Sequence, residues 1–495
     1  MGNGREKETL NLVGNYLPLT IFFKIYFLIF ICCNKYKMSD GSIPNLISLS
    51  QIPVNFLQSV ETDLLEPVVF NQGSATADGF TRFTLQNKGF LHSHSKVFLS
   101  VQSGAGVTNG YFTPTIGIGQ VIKKAVLKIG NKTLNEVSAW DGLFAAKSTL
   151  IKSENNLERE LYTTGRCMNE QFIYNASSDT QASSYGLDNG LEYGTATTEV
   201  GLAMPTWSKM DTAKPAESPT FSVDLSDLFP FLKVNQLPLY MITEPINIEL
   251  TFYPTVNHRL QIASTDTASA PALIRRQDIK FCADYVFYGE SDEMERFADA
   301  NRDMSFSFVD YRLIEATVTP ATLATGIIRN LGMANRIVPR IITAVTDDVS
   351  ADELTILSRA NSLSPDLSAA GVPGVVKYNI RYNDRYEFSR DVVNTARLFS
   401  ILTDSEGVPF ISRAGYSHQK NEITDQTLEG RTQDDSLEGS FFYLGTRLTG
   451  GRVGQRGLEL HLSGDFPASV TVLRSYAEYL RVARLSGGMM DIFNA

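Results

Sequence analysis

Apolar residues recur at every second position in one short run after another, and this spacing constrains the chain more than any other feature. It suits strands with one buried face and one wet face. Ile246, Ile248, Leu250 and Phe252 alternate with Asn247, Glu249 and Thr251, and Leu458, Leu460 and Leu462 with Glu459, His461 and Ser463. Ile279, Phe281, Ala283, Tyr285 and Phe287 share one face of a third run. Met304, Phe306 and Phe308 oppose Ser305 and Ser307, while Ala125, Leu127 and Ile129 oppose Lys124 and Lys128. Helical spacing is rare. Ser138 is placed as a helix cap before Trp140, Leu143, Phe144, Leu150 and Ile151, and Ser389 as another before Val392, Val393, Ala396 and Phe399. A third helix begins at Ser291, where Asp292, Glu293 and Glu295 complement the positive end of the helix dipole.

The order of these segments repeats. The first half places strands at 80–86 and 96–102, a hairpin at Gly130-Asn131 and the helix from Ser138. After a long polar stretch come strands at 221–228, 246–252 and 279–288. The second half places a strand at 304–309, a hairpin at Asn383-Asp384, the helix from Ser389, and strands at 441–448, 458–462 and 470–480. The expected fold is therefore all-β: two tandem eight-stranded jelly rolls (a double jelly roll) with a few short helices. The expected divisions are an N-terminal arm at 38–62, a first jelly roll at 63–290, a linker helix at 291–303, a second jelly roll at 304–485 and a C-terminal tail at 486–495. Polar stretches at 165–220, 254–275 and 344–374 are too long for ordinary connections. They are expected to project from one end.

Residues 1–37 differ from the rest. Residues 17–33 are apolar except for Thr20 and Lys24, and at 17 residues they reach the lower edge of what spans a bilayer. A signal anchor, a signal peptide and a gene-model extension compete here. No small-residue cleavage site follows, and Met38 opens a polar stretch, so translation from Met38 is the expectation.

With 44 basic and 54 acidic residues the net charge is −10, which disfavours non-specific binding to phosphate backbones. Four Cys and five His are too few for a disulfide framework or a zinc-cluster protein. No nucleophile elbow, P-loop, C-x-x-C or H-E-x-x-H occurs. Gly104-Ala-Gly106 and Gly117-Ile-Gly119 complete no dinucleotide fingerprint and are expected in loops. His92 and His94 share a strand face without a third ligand nearby. Asp347-Asp348 and Asp434-Asp435 are adjacent acids in polar loops, and Cys167 and Cys282 are expected as free thiols. No catalytic, cofactor or metal residue is assigned.

Two segments carry a resemblance. Residues 229–252, FPFLKVNQLPLYMITEPINIELTF, resemble a signature of double jelly-roll major capsid proteins of the PRD1/adenovirus lineage. The matching positions are Pro230 and Phe231, then Leu237, Pro238 and Leu239, then the strand residues Ile246, Ile248, Leu250 and Phe252. Pro238 fixes its own φ and withholds a donor, so it suits the end of one element and the start of a short helical turn. Residues 80–102 resemble the opening strand pair of capsid proteins from polinton-like viruses and virophages. The chain lacks the more aromatic form of the first motif and carries Glu244-Pro245 where the large-virus pattern has a His.

The resemblance implies a purely structural protein, not an enzyme and without cofactors. It implies a homotrimer whose six jelly rolls form a pseudo-hexagonal capsomer of an icosahedral DNA-virus shell, contacting neighbouring capsomers and penton or other minor capsid proteins. No sequence-specific nucleic-acid binding is implied. The location implied is the virion, assembled inside the host cell. In this reading the arm at 38–62 docks under a neighbour or near an inner layer, and Ser486-Gly-Gly488 is a hinge that frees residues 489–495. The alternatives are a jelly-roll carbohydrate-binding or carbohydrate-active protein, for which two Trp are few, and a membrane-anchored surface protein using residues 17–33.

Overall fold

The computed structural model describes residues 58–74, 77–102, 110–112, 117–150, 163–164, 173–174, 181–183, 220–253, 260–262, 273–274, 276–288, 291–346, 377–393, 395–406, 443–448, 451–464, 466 and 471–494. The leader, most of the arm, most of the three long polar stretches, Cys167 and both acid pairs lie outside the described residues.

In the first half, eight principal strands follow in chain order: β1 (Gln58–Leu65), β2 (Gly79–Leu85), β3 (Lys96–Leu99), β4 (Ile122–Ile129), β5 (Lys132–Ser138), β6 (Phe221–Asp224), β7 (Ile246–Phe252) and β8 (Lys280–Tyr288). One sheet has the order β1-β8-β3-β6 and the other β2-β7-β4-β5, all antiparallel. Helix α1 (Trp140–Leu150) follows β5, and two short helices, α2 (Leu225–Leu228) and α3 (Pro230–Val234), follow β6. Helix α4 (Ser291–Ala300) leads into the second half.

The second half repeats the plan with β9 (Asp303–Thr317), β10 (Ile327–Gly332), β11 (Arg340–Thr346), β12 (Lys377–Tyr382), β13 (Arg385–Tyr386), helix α5 (Thr395–Glu406), β14 (Tyr443–Arg447), β15 (Leu458–Ser463) and β16 (Val472–Ser486). Its sheets run β9-β16-β11-β14 and β10-β15-β12-β13. Numbered within each half, both sandwiches have the orders 1-8-3-6 and 2-7-4-5, and both carry a helix after the fifth strand. The architecture is thus mostly β and jelly-roll-like, twice over. Extra short strands depart from a plain eight-strand count. Val69–Asn71 lies beside β2, Phe90–Leu91 pairs with β8 and with Leu237–Pro238, and β17 (Met489–Asn494) pairs with β16.

Alternation decides which strand faces are buried. On β7, Ile246, Ile248, Leu250 and Phe252 are buried in the first core. On β15, Leu458, Leu460 and Leu462 are buried in the second. The Gly130-Asn131 turn joins β4 to β5, and Asn383-Asp384 joins β12 to β13 with both residues at positive φ, the geometry of a two-residue hairpin.

Several boundaries differ from the sequence reading. Ser138 is the last residue of β5 and not a cap: Ala139 at φ 45° makes the break and α1 starts at Trp140. Ser389 starts no helix either: Val392 exchanges backbone hydrogen bonds with Tyr378, and α5 begins at Thr395. The run 221–228 splits into β6 and α2. The strands read at 304–309 and 470–480 extend into a fifteen-residue ladder between β9 and β16. The hinge at 486–488 is instead a hairpin turn. Gly487 and Gly488 both take positive φ, and β17 folds back along β16 with Met490 fully buried.

The antiparallel ladders fix where each connection leaves. Those after the odd-numbered strands β1, β3, β5 and β7, and β9, β11, β13 and β15, emerge at one end of their sandwich, and those after the even-numbered strands, among them 225–245 with α2 and α3, at the other. The two sandwiches stand the same way up. At the end where the even-numbered strands finish, Thr243 donates its backbone N–H to the Gly488 carbonyl at 2.9 Å. Toward the opposite end, the Tyr476 hydroxyl donates to the Ala139 carbonyl, also at 2.9 Å.

Candidate functional site

The most constructed feature of the molecule is the seam where the β5–β6 side of the first sandwich meets β9 of the second. Its apolar part is built around α3. Pro230 occupies the first helical turn, where its missing N–H is no loss. Phe231, the next residue, is fully buried and reaches across to β9. Its ring lies edge-on to Phe306 (centroids 5.7 Å apart, planes at 65°) and to Phe308 (5.0 Å, 80°). Its backbone N–H donates to Asn135 Oδ1 at 3.0 Å. One continuous hydrophobic cluster runs from the first core through Phe231 into Met304, Phe306, Phe308, Leu485 and Met490.

The polar part has two buried carboxylates. Asp310 of β9 accepts from Asn135 Nδ2 at 2.6 Å, Arg481 Nη1 at 2.6 Å, the Tyr479 hydroxyl at 3.1 Å and the Tyr311 N–H at 3.0 Å. Burial pushes the Asp310 carboxyl above its ordinary value, and Arg481 offsets only part of that. The same burial lifts the Tyr479 phenol to about 12. Glu478 of β16 accepts from the Tyr311 hydroxyl at 2.7 Å and from Arg340 Nε at 3.1 Å, with Lys147 of α1 at 3.9 Å. Burial alone would raise its carboxyl too, but Arg340 and Lys147 outweigh that and hold it below the usual glutamate value.

An open polar cleft of about 580 Å³ lies between β5 and β9, lined among others by Glu136, Asp310, Arg312 and Glu315. Three of its acids are matched to cations: Asp310 to Arg481, Glu136 to Lys124 at 2.5 Å and Glu315 to Arg474 at 2.8 Å. Such matching holds elements in register; it leaves none of these three acids poised as a free base.

The signature residues fall in two places. Pro230 and Phe231 belong to the seam. Leu237 and Pro238 pair with Phe90–Leu91, and Leu239, fully buried, opens a 3-10 turn directly after Pro238. Ile246, Ile248, Leu250 and Phe252 lie inside the first sandwich, away from the seam. Asn135, Asp310, Arg340, Glu478 and Arg481 were not singled out by sequence, where each reads as an ordinary strand polar residue. The one available signal was a charged residue interrupting an apolar run, as Asp310 does after Phe308 and Val309.

Among the described residues, no cluster of three His, Cys, Asp or Glu side chains has metal-binding geometry. His92 donates no third partner to a site: its Nδ1 accepts the His94 N–H at 3.1 Å, and His94 Nδ1 lies 3.3 Å from Asp224 Oδ2. Cys282 is a free, half-buried thiol that burial pushes up. Gly117 and Gly119 lie in a buried 3-10 turn, Gly117–Val121, with Gly119 against Phe144 and Trp140. No described helix is long and apolar enough to cross a membrane.

No protein-family model matches the sequence, and no curated protein matches it. Solved structures match the fold strongly at low sequence identity. A capsid chain of the virus PBCV-1 superposes with a TM-score of 0.55 at 12% identity, covering 89% of this chain and 97% of that one. The mavirus major capsid protein gives 0.53 at 10% identity, covering 100% and 97%. A chain of the Sputnik virophage gives 0.52 at 10% identity, covering 92% and 95%. The chain therefore has the fold of these viral capsid chains along nearly its whole length.

Proposed function

We propose that this chain is a structural major capsid protein, acting as a building block of an icosahedral DNA-virus shell and located in the virion. In this reading each half is one eight-stranded jelly roll, its extra short strands being local additions. Three copies form a pseudo-hexagonal homotrimeric capsomer that contacts neighbouring capsomers and minor capsid proteins such as pentons. The chain acts without catalysis, cofactors or sequence-specific nucleic-acid binding. A lineage near virophages and polinton-like viruses completes the proposal.

The observation that carries it is the seam. Two sandwiches of identical strand order are locked the same way up by a shared apolar cluster and two buried carboxylate networks. A rigid pair whose five longest connections, after β3, β5, β7, β11 and β13, all leave at one end is what a tile needs: one patterned rim, an opposite rim and lateral sides for neighbours. The full coverage of capsid chains by the fold supports the same reading. The test is light scattering behind size exclusion on the full-length chain, followed by negative-stain imaging. Threefold particles with a six-lobed outline are expected. A chain that stays monomeric at micromolar concentration overturns the proposal.

A further inference from the structure

The end of the second sandwich where its even-numbered strands finish is built from the connections after β10, β12 and β14. Hydrogen bonds lace the three into one platform. The Asn335 N–H donates to the Val453 carbonyl and the Val453 N–H to the Arg336 carbonyl, both at 2.9 Å. The Leu448 N–H donates to the Pro339 carbonyl at 2.8 Å. Asn383 of the β12–β13 turn holds the same strip: its Nδ2 donates to the Arg452 carbonyl at 3.3 Å, and its Oδ1 accepts from the Gly454 N–H at 2.6 Å.

The platform is positively charged on a chain whose net charge is −10. Residues 333–339, 381–387 and 447–459 hold six arginines, three carboxylates and no lysine. Arg456 reaches Asp384 at 2.6 Å and Arg381 reaches Glu459 at 3.2 Å. The other four, Arg336, Arg385, Arg447 and Arg452, have no carboxylate partner among the described residues. Three of these are exposed, and Arg336 is half-buried with its guanidinium 4.6 Å from the centre of the Tyr479 ring. Unpaired like charges held on one laced surface raise the energy of the isolated chain, and a polyanion lying across them lowers it. The choice of cation points the same way. Residues 301–495 contain eighteen arginines and two lysines, against seven and twelve in residues 38–300. The second half thus favours the planar fork that grips two phosphate oxygens at once.

We infer that this platform binds the phosphate backbone of nucleic acid without reading its bases. Its described residues form tight turns, with no helix or ribbon projecting to enter a groove, so contact stops at the phosphates. A lipid surface fits it less well. Interfacial binding to lipid buries apolar side chains, whereas Met333, Val338, Leu448 and Val453 are buried inside the platform. Among the described residues of these segments, Tyr386 is the one large apolar side chain that is exposed. The acidic balance of the whole chain does not oppose this contact, because a bound polyanion responds first to the surface it meets, and ion screening confines the effect of charge farther away. The inference goes beyond the shell-building reading and does not depend on it, since one free chain carries the complete platform.

Fluorescence anisotropy of a labelled DNA duplex of about 12 base pairs, titrated with the full-length chain from about 50 to 200 mM salt, tests it. Four phosphate contacts give a slope of log affinity against log salt of about −3 to −4. Arg447→Gln with Arg452→Gln is expected to make the slope shallower by about 2 and to weaken binding about a hundredfold at about 50 mM salt. Both positions are exposed, so the melting temperature is expected to stay unchanged. Arg447→Lys with Arg452→Lys keeps the charge and is expected to retain the slope, which decides the matter if the Gln variant does not fold. Arg312→Gln removes the same charge from the exposed cleft beside β9 and is expected to leave affinity within about twofold. Two duplexes of unrelated sequence are expected to bind alike. A native chain that ignores the duplex at micromolar concentration and about 50 mM salt overturns the inference. So does an Arg312→Gln loss equal to that of the platform variant, or a preference of more than about tenfold between sequences. Binding to vesicles of phosphatidylglycerol that the Gln variant abolishes, with no binding to the duplex, overturns it in favour of a membrane.

Discussion

Replacing Phe231 by Ala tests whether the seam makes one cooperative body of the two sandwiches. Phe231 is fully buried and contacts Phe306 and Phe308 edge-on from α3, while its backbone N–H to Asn135 survives the substitution. Truncating a buried Phe to Ala costs about 3–5 kcal/mol through lost transfer energy and the cavity left behind. Within that, each edge-to-face pair contributes about 0.5–1.5 kcal/mol beyond its buried area. For one cooperative unit made of both sandwiches, whose unfolding entropy at about 2.1 cal/mol/K per residue is about twice that of one sandwich, about 4 kcal/mol corresponds to a melting shift of about 4–8 °C. Trp140 is a fitting probe, being buried in the first sandwich with its indole N–H on the Asp227 carbonyl at 3.1 Å. In a Trp207→Phe background, its fluorescence and the far-ultraviolet signal should fall together and early in F231A. Phe231→Leu, closer in volume, should cost less than about 1.5 kcal/mol. A fall of under about 2 °C in F231A, or a Trp140 transition that separates from the global one, would refute the claim that the seam is an extension of the core.

Glu478→Gln leaves Arg340 without its buried charge partner, so a loss of about 3–5 kcal/mol is expected. Because the folded carboxyl is held below the ordinary 4.5, its stabilisation is present above that value and is lost as pH falls through the lowered one. Denaturant melts of the native chain and the variant should therefore differ most above pH 4.5 and converge in stronger acid; a gap that widens toward acid contradicts the assignment. Deleting residues 487–495 removes buried Met490 and the whole β17 ladder. A penalty of at least about 2 kcal/mol in chemical unfolding is expected, and an unchanged midpoint would mean that the segment is a free tail after all.

What the sequence displays is local. β7 and β15 are legible because their apolar sets hold strict alternation from end to end, and the turn at Asn383-Asp384 because both residue types tolerate positive φ. The length of β9 is illegible because Asp310, Arg312 and Glu315 interrupt its apolar pattern, and the reason they do so lies elsewhere in the chain. Asp310 answers to Asn135 and Arg481, 175 and 171 positions away. Glu315 answers to Arg474, 159 positions away. No window of neighbouring residues contains such pairs. The same holds for Gly487-Gly488, where two glycines read as a swivel until the ladder from Arg481 to Ser486 shows them to be a tight reversal. Phe231 is visible as part of a motif, but that its ring serves the boundary rather than the interior of one sandwich appears only with β9 in place.

The common orientation of the two sandwiches has a consequence for change over time. Since the five longest excursions, after β3, β5, β7, β11 and β13, depart from a single rim, insertions and deletions there alter only the silhouette on that side, and no ladder must shift to admit them. The opposite rim holds two-residue reversals such as Gly130-Asn131 and Asn383-Asp384, and its longer 225–245 connection is tied down by buried Phe231 and by the Thr243 to Gly488 cross-link, so that it tolerates little change in length. Variation and constancy are thereby assigned to opposite ends of one molecule.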